Sequence, residues 1–312
     1  MQILITHKAT EEQLVAIKNA LPHAVVTLAR DDEQIRQAMP VTDVIWGSRF
    51  LSEVLPEAKQ LKLIQVSSAG VDRLLTAELL AHPAALSNAR GIHGATISEH
   101  VFMLMLALNR SLPAVLKSAE QQEWTRPDVL LLEGKTLGIV GYGSIGQAIA
   151  RRAKAFDMRV LATRRRPQPD QWADEVWNDS RLGDLLAQSD YVILATPLTK
   201  ETHHLIGAKE LAAMKPTGIL INIARGPVVD EPALIECLQA KRILGAGLDV
   251  FETEPLQKDN PLWQLPNVIV TPHLAGNMPD YDDRAFTIFL ENLRRLNAGE
   301  PLQNVVDKKL GY

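Results

Sequence analysis

The sequence predicts an α/β protein built from two doubly wound parallel-sheet domains with a cleft between them. Three observations carry this prediction. Short apolar runs alternate with helical patterns at the start of the chain, a second alternation begins near residue 135, and one long apolar helical pattern separates the two series. Strands that alternate with helices are typical of βαβ units and of parallel sheets.

Composition bounds the classes of protein that this chain can belong to. Its 312 residues are 46% hydrophobic and 22% charged, as in a soluble globular protein of about two domains. The net charge of −4 indicates neither a nucleic acid nor an anionic membrane as a partner. The only cysteine is Cys237, so no internal disulfide can form, and no signal peptide precedes the first strand-like run. We therefore expect a cytoplasmic protein.

The first series combines strand-like runs with helical spacing. Nearly continuous β-branched and aliphatic runs predict strands, and apolar residues three and four positions apart predict helices. The predicted strands are residues 3–6, 25–28, 43–46 and 61–66, and the predicted helices are residues 11–21 and 31–39.

The second series has longer apolar runs, which are typical of strands covered on both faces of a sheet. A long apolar helix is predicted before it, over residues 95–112, followed by an irregular arm. A last helix is predicted over residues 283–299, where a glycine ends it. The predicted strands are residues 135–141, 158–163, 191–196, 218–223, 243–250 and 267–272.

The segment GYGSIG follows the first strand of the second series and opens a helix, which is the context of a dinucleotide-binding turn. Gly141 permits the tight turn, Gly143 lets a pyrophosphate approach the backbone, and Gly146 lets the helix pack against the strand. The amides of Ser144 and Ile145 would then face the phosphates at a helix N-terminus. This motif predicts a bound dinucleotide.

The end of the next strand indicates which dinucleotide is bound. A carboxylate at this point binds the 2′-hydroxyl of NAD, but here the chain reads Thr163, Arg164, Arg165 and Arg166. A guanidinium binds a phosphate through bidentate, charge-assisted hydrogen bonds. The sequence therefore predicts NADP(H) as the preferred coenzyme, with NAD(H) as the alternative. Arg164 and Arg165 are the main predicted clamps, and Thr163 is a predicted hydroxyl donor.

Three further segments place reactive side chains just after apolar strands. They are NIARGPVVD, which contains Arg225, GLDVFETEP, which contains Glu254, and VTPHLAG, which contains His273. Ligands of open α/β sheets bind beyond the carboxyl ends of the strands. Taken singly, each of these residues is more often structural, but all three follow strands and could converge on the cleft from separate places in the chain.

At this point the chain closely resembles the D-isomer-specific 2-hydroxyacid dehydrogenases, and the resemblance covers nearly its whole length. The resemblance implies a flavodoxin-like substrate domain, residues 1–98 plus 282–312, and a Rossmann-type cofactor domain, residues 99–281. It also implies a homodimer. The motifs that carry it are SSAGVD, GIVGYGSIG, ATPLTKETHHLI, INIARGPVVDEPAL, GLDVFETEP and TPHLAG.

The same resemblance implies a role for each candidate catalytic residue. His273 would be the general acid that protonates the oxygen of a 2-oxoacid, because imidazole titrates near neutral pH. Glu254 would hold the histidine ring and favour its protonated form. Arg225 would bind the substrate carboxylate and polarise the carbonyl group.

The resemblance also implies binding residues around the catalytic group. The substrate carboxylate would be received by the backbone amides near Ser68, Ala69 and Gly70 and by Arg225. His273 would contact the substrate as its general acid. Asp249 would lie near the nicotinamide carboxamide. No metal site is predicted. The coenzyme contacts that the resemblance adds are Thr196, Pro197, Ile223, Ala224, Arg225, Asp249, His273 and Gly276.

Together these features predict an oxidoreductase that transfers hydride between NADP(H) and a small D-2-hydroxyacid/2-oxoacid pair. Glyoxylate and hydroxypyruvate are the first candidate substrates. Two alternatives stay open at this point. One is an enzyme similar to 3-phosphoglycerate dehydrogenase, and the other is a nucleotide-sensing binding protein similar to the transcriptional corepressors of the same fold.

Overall fold

A computed structural model of the chain describes all 312 residues. It divides into two compact units, residues 1–92 with 278–312 and residues 93–277. The domain boundaries proposed from the sequence, after residues 98 and 281, lie a few residues further along the chain. Each unit contains one parallel sheet. The predicted α/β class with two parallel-sheet domains is confirmed.

The first unit is built on a five-stranded parallel sheet with the order β2-β1-β3-β4-β5. Its strands are short and apolar, and helix α1 is fixed at its start by a capping box between Thr10 and Gln13, a device worth about 1 kcal/mol. The elements are β1 (Gln2–Ile5), α1 (Glu11–Ala20), β2 (Val25–Leu28), α2 (Asp32–Ala38), β3 (Val44–Trp46), β4 (Leu63–Gln65), α3 (Ala77–Ala81) and β5 (Ala85–Ser87).

The second unit is built on a seven-stranded parallel sheet with the order β12-β11-β10-β9-β6-β7-β8. Its central strands are buried along their whole length, because apolar clusters cover both faces of the sheet. The elements are α4 (Gly94–Asn109), α5 (Leu112–Glu120), β6 (Thr136–Val140), α6 (Ser144–Lys154), β7 (Arg159–Thr163), β8 (Glu175–Trp177), α7 (Leu182–Gln188), β9 (Tyr191–Leu194), α8 (Ala208–Ala213), β10 (Ile219–Asn222), α9 (Glu231–Gln239), β11 (Gly245–Leu248) and β12 (Val268–Val270).

The last helix, α10 (Tyr281–Ala298), returns to the first unit and packs on its sheet. Phe289 stacks on Trp46 with ring centroids 4.6 Å apart. The buried Asn292 donates from Nδ2 to Gln65 Oε1 at 2.8 Å and to Ser87 Oγ at 3.1 Å. Apolar stacking and buried hydrogen bonds therefore fasten this C-terminal helix to the N-terminal strands.

The structure corrects the predicted arm after the long helix. Residues 112–120 form helix α5 rather than an irregular segment, and Ser111 separates α4 from α5 in the left-handed conformation, with φ +51°. No single helix has the length and apolar character to span a membrane; only α4 and α5 taken together, which meet at a 65° bend, pass such a test.

Candidate active site

The three candidate catalytic residues follow three neighbouring strands of the second unit. Arg225 lies after β10, Glu254 after β11 and His273 after β12, and these strands are adjacent and parallel in the sheet. Because parallel strands end at the same edge, the three loops emerge from one edge of the sheet. The structure therefore brings the three segments to one edge of the sheet, and the catalytic roles of their residues stay predictions.

Glu254 and His273 form a hydrogen-bonded pair. Nδ1 of His273 lies 2.9 Å from Oε2 of Glu254, and Oε1 of Glu254 accepts the amide of Phe251 at 3.2 Å. The histidine side chain is 46% exposed and the glutamate 17%, so the carboxylate is the more enclosed partner. A carboxylate on Nδ1 fixes the tautomer and the ring orientation of a histidine, which leaves Nε2 for a reacting group.

The backbone of His273 has a left-handed conformation, with φ +52°. For a residue with a Cβ, this conformation costs about 1–2 kcal/mol. Its amide donates to the carbonyl oxygen of Asp249 at 2.9 Å and to that of Thr271 at 3.0 Å. Backbone hydrogen bonds to the residues that follow β11 and β12 therefore help to hold the histidine in this conformation.

Arg225 is partly buried and tied to its own loop. Its guanidinium donates from Nη1 to the carbonyl of Ala224 at 2.7 Å, and its own carbonyl accepts from Asn222 Nδ2 at 3.1 Å. The next residue, Gly226, lies so close to the chain that a Cβ there would be 1.8 Å from the carbonyl carbon of Phe251. A glycine at this position therefore lets the loop of Arg225 pack directly on the segment that leads to Glu254.

The glycine-rich turn has the shape of a dinucleotide cradle. Gly141 has φ +97°, and a Cβ there would be 2.7 Å from the carbonyl of Ala195. A Cβ at Gly146 would be 2.8 Å from the carbonyl oxygen of Gly141, whereas a Cβ at Gly143 would meet no atom within 4 Å. Two glycines are thus required by the close packing of the chain, and Gly143 leaves open space. This open backbone face at the start of α6 fits a pyrophosphate.

The arginine segment begins where β7 ends. Thr163 is 1% exposed, and its carbonyl accepts the amide of Gly141 at 3.1 Å and that of Tyr142 at 2.9 Å. The structure therefore shows a backbone role for Thr163, and its hydroxyl contact with the coenzyme stays a prediction. Arg164 donates its amide to the carbonyl of Trp177 at 3.0 Å, and Arg165 is exposed on the loop that follows.

Residues that the sequence did not single out tie this loop to the glycine turn. The hydroxyl of Tyr142 donates to Oδ1 of Asp170 at 2.8 Å, and Nε2 of Gln147 donates to Oδ2 at 3.1 Å. Burial and the Asp170 charge raise the pKa of Tyr142, so that its hydroxyl keeps the proton it donates. Tyr142 lies inside the glycine motif, but its spacing does not indicate a partner 28 residues away.

The other predicted coenzyme residues also follow strands of this sheet. Thr196 and Pro197 come after β9, Ile223 and Ala224 after β10, and Gly276 after β12. Ile223 and Ala224 are 7% and 6% exposed. Their contacts with a coenzyme remain predictions.

Asp249 is more deeply enclosed than a direct coenzyme ligand would be expected to be. It is 1% exposed, and its two carboxylate oxygens accept the amides of Leu274 and Ala275 at 3.0 and 2.9 Å. Its predicted contact with the nicotinamide carboxamide stays a prediction. The geometry shows a carboxylate that organises the loop of His273.

The predicted substrate loop belongs to the first unit and follows β4. Its carbonyl groups are held by local hydrogen bonds: Gly70 accepts from the Ser68 hydroxyl at 2.8 Å, and Ala69 accepts from Asn88 Nδ2 at 2.6 Å. The hydroxyl of Tyr281 on α10 donates to the carbonyl of Ser67 at 2.9 Å. These bonds give the loop a defined backbone, as a binding role for its amides would need.

Comparison with known proteins identifies relatives of the whole chain. A glyoxylate reductase from Thermococcus gammatolerans is 36% identical over 89% of this chain and 85% of its own length. A D-3-phosphoglycerate dehydrogenase from Methanocaldococcus jannaschii is 34% identical over 98% of this chain, which spans 59% of that relative. An NADPH-dependent glyoxylate/hydroxypyruvate reductase from Sinorhizobium meliloti, solved with NADP and sulfate, superposes with a TM-score of 0.87 at 28% identity, covering 100% of this chain and 99% of that chain.

The sequence model of the NAD-binding domain of D-isomer specific 2-hydroxyacid dehydrogenases matches residues 102–275. The matched segment contains the glycine turn, Arg225, Glu254 and His273. The predicted resemblance is thereby confirmed, as is the predicted class of an NAD(P)-dependent oxidoreductase. The chain belongs to the D-isomer specific 2-hydroxyacid dehydrogenase family.

Proposed function

We propose that this chain is an NADPH-dependent reductase of small 2-oxoacids, with glyoxylate and hydroxypyruvate as its substrates. The observation that carries the proposal is the His273–Glu254 pair, joined at 2.9 Å in the loops that follow β12 and β11. A histidine oriented in this way can give a proton to a carbonyl oxygen. The relatives described above support the choice of substrates.

Each residue of the proposed site has one task in the reduction. Bound NADPH supplies the hydride that the carbonyl carbon receives. His273 delivers the proton to the carbonyl oxygen from Nε2, because Nδ1 is engaged by Glu254. Arg225 binds the substrate carboxylate and stabilises the negative charge that develops on the oxygen. The backbone amides near Ser68, Ala69 and Gly70 are proposed as further ligands of that carboxylate.

The preference for NADPH is part of the proposal. Arg164 and Arg165 are the proposed clamps of the 2′-phosphate, and no carboxylate stands at the end of β7 where NAD would need one. The hydrogen bonds between Tyr142, Gln147 and Asp170 support this assignment, because they hold the arginine loop against the glycine turn.

A substrate panel tests the proposed activity. We expect catalytic amounts of the protein to oxidise NADPH with glyoxylate and with hydroxypyruvate faster than with pyruvate or 3-phosphohydroxypyruvate. The measurement is the initial rate of NADPH consumption at varied substrate concentration. Higher kcat/KM with 3-phosphohydroxypyruvate would favour the phosphoglycerate alternative. Tight NADPH binding without turnover of any 2-oxoacid would favour a nucleotide-sensing protein.

A homodimer is also proposed, and an apolar surface of the second unit supports it. Helices α4 and α5 and the segment after them expose several large apolar side chains, including Leu116 at 55%, Leu131 at 60% and Trp124 at 90%. Several large apolar side chains exposed on neighbouring segments are typical of an interaction site. A cytoplasmic location completes the proposal, since the buried single cysteine, Cys237, has no disulfide partner.

Replacing two of these exposed apolar residues by glutamate tests the proposed dimer. We expect the protein to elute with twice the 34.5 kDa mass of one chain, and Leu116→Glu with Leu131→Glu to elute as a monomer, because buried like charges at an interface are costly. Size-exclusion chromatography with light scattering measures both masses. Val15→Glu, at a 57% exposed position of the first unit, is the control that should stay dimeric. A wild-type monomer would contradict the proposal.

A further inference from the structure

A buried polar network lies behind the loop that carries His273. It joins His100 on α4, Thr271 after β12 and Asp249 after β11. Nε2 of His100 lies 3.0 Å from Oγ1 of Thr271, and Oγ1 of Thr271 lies 2.6 Å from Oδ1 of Asp249. His100 is 7% exposed and Asp249 1%. The sequence pattern placed His100 on an apolar helix and indicated no partner for it.

The chemistry of the three groups fixes the direction of each hydrogen bond. An ionised carboxylate only accepts, so the Thr271 hydroxyl gives its single hydrogen to Asp249. The hydroxyl oxygen must then accept from His100, which carries its proton on Nε2. Burial lowers the pKa of His100, an effect that the Asp249 charge opposes, so the neutral ring with this tautomer is favoured near neutral pH. The network therefore runs from His100 to Thr271 to Asp249, and Nε2 of His100 also lies 3.4 Å from Oδ1 of Asp249.

Asp249 connects this network to the catalytic loop through hydrogen bonds. Its carboxylate accepts the amides of Leu274 and Ala275, and its carbonyl accepts the amide of His273. Three consecutive amides of the loop are thus bound by one residue. These bonds begin at His273, whose backbone is left-handed with φ +52°, and continue through the next two residues.

We propose that His100 is a positioning residue for proton transfer by His273. It acts through Thr271 and Asp249, and it does not itself touch the substrate or the coenzyme. This inference rests on the proposed function, because the proton transfer is part of that reaction.

The test compares a variant that loses the ring donor with one that keeps a donor. His100→Leu is expected to lower kcat by about 10- to 100-fold, since a misplacement of about 1 Å can cost that much. The KM for NADPH should change much less than kcat. His100→Gln, whose amide can donate to Thr271, should recover most of the turnover. Ser98→Ala is the matched control, because Ser98 is equally buried on α4 but bonds only to the carbonyls of Gly94 and Ala95.

A second variant and a second measurement test the inference even if His100→Leu does not fold correctly. Thr271→Val removes the bridging hydroxyl with little change of shape and should lower kcat in the same way, whereas Thr271→Ser should not. Hydrogen–deuterium exchange of the peptide that contains His273 should be faster in His100→Leu and Thr271→Val than in the wild type.

Two results would overturn the inference. One is an unchanged kcat in both variants, and the other is a loss of kcat that His100→Gln does not recover while exchange of the loop stays unchanged. Failure of the proposed function is a separate outcome. A wild-type protein that reduces no 2-oxoacid would remove that function, and the exchange rates would still show whether His100 holds the loop.

Discussion

Replacing His273 by asparagine is expected to lower kcat for 2-oxoacid reduction by about 10²- to 10⁴-fold, the usual contribution of a general acid. Asparagine can still receive or give a hydrogen bond, but it cannot give up a proton at neutral pH. Asparagine also fits the left-handed backbone at this position, because it adopts this conformation more readily than most residues. The loss should therefore report the missing proton donor rather than a displaced loop.

Steady-state rates with glyoxylate and NADPH measure this effect, and titration of NADPH fluorescence measures coenzyme binding. Binding should be unchanged in His273→Asn. His203→Asn makes the same replacement at an exposed histidine of the same unit and should leave kcat unaltered. Turnover close to the wild-type value in His273→Asn would refute the assignment of His273 as the acid.

The double replacement Arg164→Ser with Arg165→Ser is expected to lower kcat/KM for NADPH by about 10²-fold or more, since each hydrogen bond to a charged group contributes about 1.5–3 kcal/mol. The kcat/KM for NADH should change little, because NADH has no 2′-phosphate for the arginines to bind. The wild type should prefer NADPH and the double variant should not. The measurement is the ratio of kcat/KM for the two coenzymes, at saturating 2-oxoacid.

Arg166→Ser is the matched control for this experiment. It removes one positive charge, against two in the double variant, from the same loop at an exposed position that is not assigned as a clamp. If only the positive potential of the loop mattered, replacing any one of the three arginines would lower kcat/KM for NADPH by a similar factor. If Arg164 and Arg165 are specific clamps, Arg166→Ser should keep a kcat/KM close to that of the wild type. A wild-type preference for NADH would contradict the proposed coenzyme.

Much of the fold could be predicted because the strands are nearly continuous apolar runs. The predicted runs at 191–196 and 218–223 contain β9 and β10, both fully buried. Strands β5 (ALS) and β8 (EVW) were missed because neither contains two adjacent Val, Ile or Leu residues, whereas the equally short strands β3, β4 and β12 do. Helix α5 was missed because the preceding break, at Ser111, depends on a backbone angle that its residue type does not reveal.

Some residues of the candidate site could likewise be predicted from the sequence, and others could not. Arg225, Glu254 and His273 could be placed at strand ends, because the end of a parallel strand can be located from the apolar run before it. The residues that hold these groups could not be placed. His100 is 171 residues away from Thr271, so only the packing of α4 on the sheet brings the two together. Hydrogen bonds between such distant residues leave no periodic signal in a sequence.

The carboxylate of Asp170 accepts from Tyr142 and Gln147, and this feature has a consequence for protein engineering. If the arginine segment alone were grafted onto an NAD-specific homologue, its loop would lack the tyrosine, the glutamine and the aspartate that tie the far end of the loop to the glycine turn and α6. A successful swap of cofactor specificity should therefore move these three residues along with the arginines, as a single cassette.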